Sequence, residues 1–235
     1  MPVKAAESSS AQLHQNESST YSQNGEDGIL AALFNAIGVT NRVYVEFGAG
    51  TGDECNTRLL GEQGWTGLRM DGVDQADGSD IRQEFITAEN VNELFAKYGV
   101  PDEFDLLSID IDSNDYWVLR SLDERYRPRV LVMEYNASLG PTERKTIAYD
   151  PAYVWDVSSY FGASLAALHS VAEQRGYSLV GCDSLGVNCF FVRTDCLAGF
   201  AALTPEQAYV PPGYGLFIWG RHIGFSPSAR AFVHV

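Results

Sequence analysis

Short apolar runs alternate along this chain with amphipathic stretches. Val43-Tyr44-Val45-Glu46-Phe47 is rich in β-branched and aromatic residues, the composition of a strand buried on both faces. Four further runs read the same way: Gly64–Met70, Glu84–Thr87, Phe104–Ile109 and Arg129–Met133. Helical spacing fills the intervals: Ile29–Phe34 ending near Gly38, Asn56–Leu60, a stretch through Leu94, Phe95 and Tyr98, and Tyr116–Leu119. Ser164–Arg175 follows, with Leu165, Leu168 and Ala172 on one face. Strand and helix in alternation predict an α/β fold around a parallel sheet. Tyr177–Cys182 and Val187–Val192 then flank Asp183-Ser184-Leu185-Gly186, which reads as a hairpin. The sum is a mostly parallel seven-stranded sheet with a closing antiparallel β-hairpin.

Three stretches break the rhythm. Residues 1–20 are rich in Ser, Gln, Asn and Glu and read as a flexible arm. Residues 137–163 are long and irregular, yet hold Tyr149, Tyr153, Trp155, Tyr160 and Phe161. Structureless connections of that length are functional or disordered, and the aromatics favour a substrate-covering insertion over a plain hydrophobic cover. Residues 199–235 carry Gly, Pro and aromatics and fit three roles: packing on the core, a dimer interface, or a pocket wall. No repeat or second boundary divides residues 21–235, which are expected to form a single domain.

The candidate chemistry begins where the first strand runs into Gly48-Ala49-Gly50-Thr51-Gly52. A strand, a glycine turn and a helix open a nucleotide-binding unit, because glycine lets the backbone turn tightly and approach a ligand. The dinucleotide fingerprint would need glycine at position 53, which is Asp53. Glu46, Asp53 and Glu54 surround the turn, and carboxylates compete with a pyrophosphate but suit a cation. S-adenosylmethionine, a sulfonium, therefore fits better than NAD. Asp71 ends the second strand roughly 20 residues on, the offset at which an acid hydrogen-bonds a ribose; Gly72 follows it. The polar stretch Tyr21–Gly28 holds more donors and acceptors than a linker requires, and Gln23 within it is a candidate cofactor contact.

In a sheet ordered 3-2-1-4-5, strands 4 and 1 meet at the switch point, where ligands collect beyond the carboxyl ends. Asp110 and Asp112 follow strand 4; Glu134 and Asn136 follow strand 5. Clustered carboxylates repel, so a positive partner is expected, either the sulfonium or a divalent cation such as Mg²⁺. Asp110, Asp112, Glu134 and Asn136 are the candidate metal ligands; Asp110 and Glu134 are the candidate catalytic groups. Asp115 reads as a helix-capping acid. His169, beside the apolar face of its helix, is a third catalytic candidate, although a lone histidine there is more often structural.

Composition narrows the partners. The 235 residues carry 16 Lys and Arg against 31 Asp and Glu, a formal net charge of −15. That balance argues against nucleic acid and against anionic membranes. Four cysteines (Cys55, Cys182, Cys189, Cys196) lack zinc spacing and are too few for a disulfide framework. With no bilayer-length apolar run and no secretory leader pattern, a cytoplasmic protein is the expectation. A small-molecule acceptor is the expected partner, and a homo-oligomer stays open.

An ordered series of segments resembles the FkbM-type class I methyltransferases. It comprises Ser22–Gly28, Glu46–Gly52, Asn56-Thr57, Gly64–Gly67 and Asp105–Asp112. The resemblance runs from about Tyr21 to Arg193 and implies a Rossmann-like fold with S-adenosylmethionine as methyl donor, often for O-methylation of sugars or secondary metabolites. It also implies that Glu46, Gly48 and Gly50 hold the methionine part and Asp71 the ribose, with Ala88 and Glu89 beside the adenine. Ala49, between the two glycines, is a further candidate cofactor contact. Two departures stand out: Asp71 where many members have Glu, and a more acidic run from Asp110 to Asp115. The expectation is O-methylation of a small hydroxylated metabolite or sugar, with a nucleoside-binding protein that does not methylate as the rival.

Overall fold

The computed structural model describes residues 10–76 and 78–235. Strands numbered in chain order are β1 (Val43–Phe47), β2 (Thr66–Asp71), β3 (Ile81–Gln83), β4 (Glu103–Ile109), β5 (Arg127–Glu134), the two-residue β6 (Lys145–Thr146), β7 (Tyr177–Cys182) and β8 (Asn188–Arg193). Seven of them form one sheet in the order β3-β2-β1-β4-β5-β8-β7. β1 to β5 are parallel, while β8 runs antiparallel to both β5 and β7. This is the Rossmann-like arrangement of class I methyltransferases, closing hairpin included.

Two core layers form because successive side chains leave a strand on opposite faces. Val45, Phe47, Leu107, Ile109, Leu131 and Met133 face one way. They meet α4 (Val91–Lys97), α5 (Asp115–Ser121) and α6 (Leu165–Gln174). Tyr44, Leu106, Val130 and Val132 face the other way, onto Ile29, Leu30, Leu33 and Phe34 of α2 (Glu26–Ile37). Both faces of the central strands are covered, which explains why those strands read as unbroken apolar runs.

Asp105 anchors the start of β4. It is fully buried, and its carboxylate accepts the N–H groups of Thr40 (2.7 Å), Asn41 (2.9 Å) and Arg42 (2.6 Å) in the loop before β1. The guanidinium of Arg129 lies 3.8 Å away. Asp105→Asn would replace one acceptor oxygen by an NH2 group and set amide hydrogens against at least one of these N–H groups. A loss of about 3 kcal/mol is expected, read as a lower urea midpoint at unchanged slope.

Several boundaries differ from the sequence reading. The third strand is Ile81–Gln83, paired with Arg69–Asp71, and not Glu84–Thr87. The chain leaves the edge of β2 after the N–H of Glu84 bonds the carbonyl of Asp71 (2.8 Å), which frees Phe85 and Ile86 from the sheet. The expected arm lies partly outside the described residues, and it does not extend to residue 20. Ser10 and Leu13 are buried, and the hydroxyl of Ser10 joins the carbonyl of Ala208 (2.6 Å) to the N–H of Cys182 (2.9 Å). Beyond the main sheet, β9 (Phe217–Ile218) and β10 (Arg221–His222) form a small hairpin, and β11 (Val233–His234) pairs with β6. The tail thus joins the insertion: Ile147, Tyr153 and Tyr160 pack together with Phe232.

Candidate active site

The glycine turn after β1 is held from beneath. The N–H of Gly48 bonds the carbonyl of Met70 at 3.0 Å, and the N–H of Gly50 bonds Oδ2 of Asp71 at 2.7 Å. Oδ1 of Asp71 accepts the N–H of Val73 at 2.8 Å. Gly48 has φ +80°, and a Cβ there would lie 1.4 Å from the carbonyl oxygen of Asp110. Only glycine lets the ends of β1 and β4 come this close.

Glu46 is the buried hinge of the turn. Its Oε1 accepts the N–H of Asn56 (2.7 Å), and its Oε2 accepts the N–H (3.2 Å) and hydroxyl (2.5 Å) of Thr57. Those bonds fix the approach to α3 (Arg58–Glu62). Burial raises the pKa of Glu46, against the pull of its hydrogen bonds.

Beyond the carboxyl ends of β1, β4 and β5 opens a cavity of two lobes. The larger, about 760 Å³, is walled by the glycine turn, Asp110, Asp112, Glu134, Asn188 and Tyr214. The second, about 450 Å³, takes in Asp71, Gly72, Phe85, Ile86 and Tyr153. Both touch Gly48, Gly50, Asp110, Asp112 and Trp155, so they adjoin. Their volumes are those of ligand pockets. Among the described residues, no Lys, Arg or His lines either lobe.

Asp110, Asp112 and Glu134 converge, offering one oxygen each within 4.8 Å of one another. Burial, then the charges of Asp112 and Asp115, push the Asp110 carboxyl well above the usual range. Glu134 is raised likewise, by burial first and then by Asp110. Asp112 is pushed up to about 6 by burial, with Asp115 and Asp71 adding to it. Asp112 also adopts φ +56°, a strained backbone for a residue with a Cβ. Oε2 of Glu134 is buried with no hydrogen-bond partner. Asp115 instead closes the turn, accepting the N–H groups of Ile111 (2.9 Å) and Ser113 (3.1 Å).

Of the residues expected at the site, Gln23, Glu46, Gly48, Ala49, Gly50, Asp71, Gly72, Asp110, Asp112 and Glu134 line the cavity. Three do not. Asn136 is fully buried with its amide already engaged: Nδ2 donates to the carbonyls of Ser159 (2.9 Å) and Phe161 (3.1 Å), and Oδ1 accepts the N–H of Ser138 (3.2 Å). It fastens the insertion from a fully buried position that lines neither lobe. Ala88 lies off the cavity, its N–H bonded to the hydroxyl of Tyr149 (3.2 Å), while Glu89 accepts from that same hydroxyl. Because β3 ends early, Phe85 and Ile86 take the expected place. His169 sits on α6 among Glu173, Arg144 and Glu206, where burial lowers its pKa; it lines neither lobe.

Sequence reasoning missed Glu26, Asn188, Tyr214 and Phe225. Glu26 lies in the polar stretch flagged before the first strand. Asn188 pairs with Glu134 across β5 and β8, a register the sequence does not announce. Tyr214 and Phe225 belong to the aromatic tail.

No protein-family model matches the chain, and no curated protein does. Solved structures similar to it include methyltransferases. The CcbJ methyltransferase of Streptomyces caelestis is 12% identical with a TM-score of 0.41, over 79% of this chain and 96% of that one. A SAM-dependent methyltransferase of Aquifex aeolicus is 13% identical, TM-score 0.33, over 77% and 95%. The MycE methyltransferase of the mycinamycin biosynthetic pathway, solved with Mg and SAH, is 13% identical, TM-score 0.34, over 72% of this chain and 52% of that one. Overlaps this loose transfer no residue's role. Among the described residues, no helix is long and apolar enough to cross a membrane.

Proposed function

We propose that this chain is an S-adenosylmethionine-dependent O-methyltransferase of the FkbM type, acting on a small hydroxylated metabolite or sugar. The observation that carries the reading is the two-lobed cavity at the switch point, walled by carboxylates and free of basic side chains. Such a wall attracts a sulfonium and repels phosphorylated nucleotides. Asp71 is the ribose acceptor: its two N–H bonds aim the carboxylate, and each oxygen keeps a second lone pair. Phe85 and Ile86 supply apolar sides for an adenine. Gly48 and Gly50 let the methionine part lie against bare backbone.

Transfer to a hydroxyl is an in-line displacement, in which the protein mainly positions the two partners. Glu134 is the group suited to take the hydroxyl proton: it lines the larger lobe, its Oε2 is unpaired, and its proton affinity is raised. Asp110, Asp112 and Glu134 also fit a hard divalent cation, by oxygen chemistry, by convergence and by the orphaned Oε2. When bound, such a cation supplies Lewis-acid polarisation of a hydroxyl. Asp110 and Asp112 would then hold the cation and leave the proton to Glu134.

The test is production of S-adenosylhomocysteine (SAH) from S-adenosylmethionine in the presence of candidate hydroxylated acceptors. Turnover that requires an acceptor, falls at least a hundredfold in Glu134→Gln and disappears with EDTA is the expected result. Calorimetric binding of SAH with no turnover on any acceptor would favour a nucleoside-binding protein instead. Turnover untouched by EDTA would remove the metal.

A further inference from the structure

The larger lobe contains two more buried polar atoms without partners, besides the carboxylate already discussed: Oδ1 of Asn188 and the hydroxyl of Tyr214. Buried polar atoms are almost always satisfied, so two orphans on one pocket wall call for a ligand. Asn188 is only 3% exposed, and its orientation is imposed. Its Nδ2 donates to Oε1 of Glu26 at 2.8 Å, and a carboxylate can only accept. Glu26 is itself buried and held by the N–H (2.8 Å) and Nδ2 (3.1 Å) of Asn24. The amide cannot turn without setting oxygen against oxygen, so its carbonyl oxygen is the atom left over for the pocket.

Tyr214 comes from the C-terminal segment and lines the same lobe. Its ring packs on Phe225 (centroids 5.4 Å apart), and Phe225 packs on Trp155 (4.7 Å). All three rings line the lobe, giving it an apolar wall beside the two polar atoms. Such a surface is complementary to a flat ring with hydroxyl groups on one edge. An amide oxygen receives one hydroxyl as donor, and a phenol can give to or receive from a neighbouring one. The absence of basic side chains disfavours an anionic acceptor.

We propose that Asn188 and Tyr214 form the acceptor subsite of this cavity and take a neutral cyclic 1,2-diol, with Trp155 and Phe225 against the ring. Glu26 is a positioning residue that fixes the Asn188 amide. This deepens the methyltransferase reading and rests on it for the placing of the diol beside the donor. The shared chemistry occurs in a pyranoside and in a catechol, and the experiment separates those sources.

Methyl α-D-glucopyranoside and catechol are titrated into wild-type protein, with and without SAH, by ligand-observed NMR. Cyclohexanol and glucose 6-phosphate serve as controls. Binding of at least one diol and of neither control is expected. Asn188→Ala and Tyr214→Phe should each weaken it about tenfold, with SAH affinity held within twofold. Glu26→Gln, which no longer dictates the amide's orientation, should weaken it less, and thermal melts confirm that each variant folds. Which diol binds names the source. Binding of neither diol, or variants that bind like the wild type, overturns the proposal. A diol that binds and responds to the variants in a protein that ignores SAH keeps the subsite and removes the methyltransferase.

Discussion

Gly48→Ala is expected to abolish SAH binding and to lower stability by about 4 kcal/mol. Two effects combine. A residue with a Cβ at φ +80° carries about 1–3 kcal/mol of backbone strain. The new methyl would also lie 1.4 Å from the carbonyl oxygen of Asp110, so β1 and β4 must part at the point where the two lobes join. For a domain of this size the melting temperature should fall by roughly 10 °C. Gly50→Ala is the control. Gly50 also has positive φ, +54°, but nothing lies within 4 Å of its Cβ position. Its cost should be strain alone, about 1 kcal/mol, and the fold should persist. Equal effects of the two substitutions on melting would show that the close approach to Asp110 is unimportant.

The second large effect is on pH. Asp112 is raised from the ordinary 3.8 to about 6. The folded chain therefore binds a proton there that the unfolded chain has released, between about pH 4 and pH 6. Where the native state holds more protons, stability falls as pH rises. A shift of this size corresponds to about 3 kcal/mol, which should lower the melting temperature by roughly 6–12 °C over that window. Asp110 and Glu134, raised by burial and by each other's neighbours, extend the decline to higher pH. Asp183, held at about 7 by burial, adds to it with the same sign. The diagnostic is therefore the difference between wild type and Asp112→Asn: the variant should lose the part of the slope lying between pH 4 and 6. A slope that survives unchanged would mean that Asp112 ionises freely in the folded protein. Saturating Mg²⁺ should raise the melting temperature more as the pH rises and the carboxylates lose their protons.

The sheet was legible because its central strands are covered on both sides and so read as unbroken apolar runs. β1, β4 and β5 each declare themselves this way, and the glycines after β1 locate the turn. The third strand misled because its only apolar residue is Ile81, while Phe85 and Ile86 look more strand-like. Their apolarity serves the cavity wall. Asp110 and Glu134 could be placed from strand order alone. Asn136 could not, since its fate depends on the carbonyls of Ser159 and Phe161, far along an irregular loop. His169 looked eligible by residue type, yet α6 carries it to neighbours outside the pocket. Asn188 and Tyr214 were hidden for a similar reason: strand register and the path of a coil decide their neighbours, and neither leaves a periodic trace.

The pairing of β6 with β11 has a bearing on biosynthesis. The insertion that supplies Trp155 is tied through Lys145–Thr146 to Val233–His234. Roughly 87 residues separate the two partners, so at 5–20 residues per second the first waits on the order of 4–17 seconds for the second to be translated. The parallel part of the sheet can assemble on the ribosome during that interval, but the chamber stays roofless until the far partner emerges.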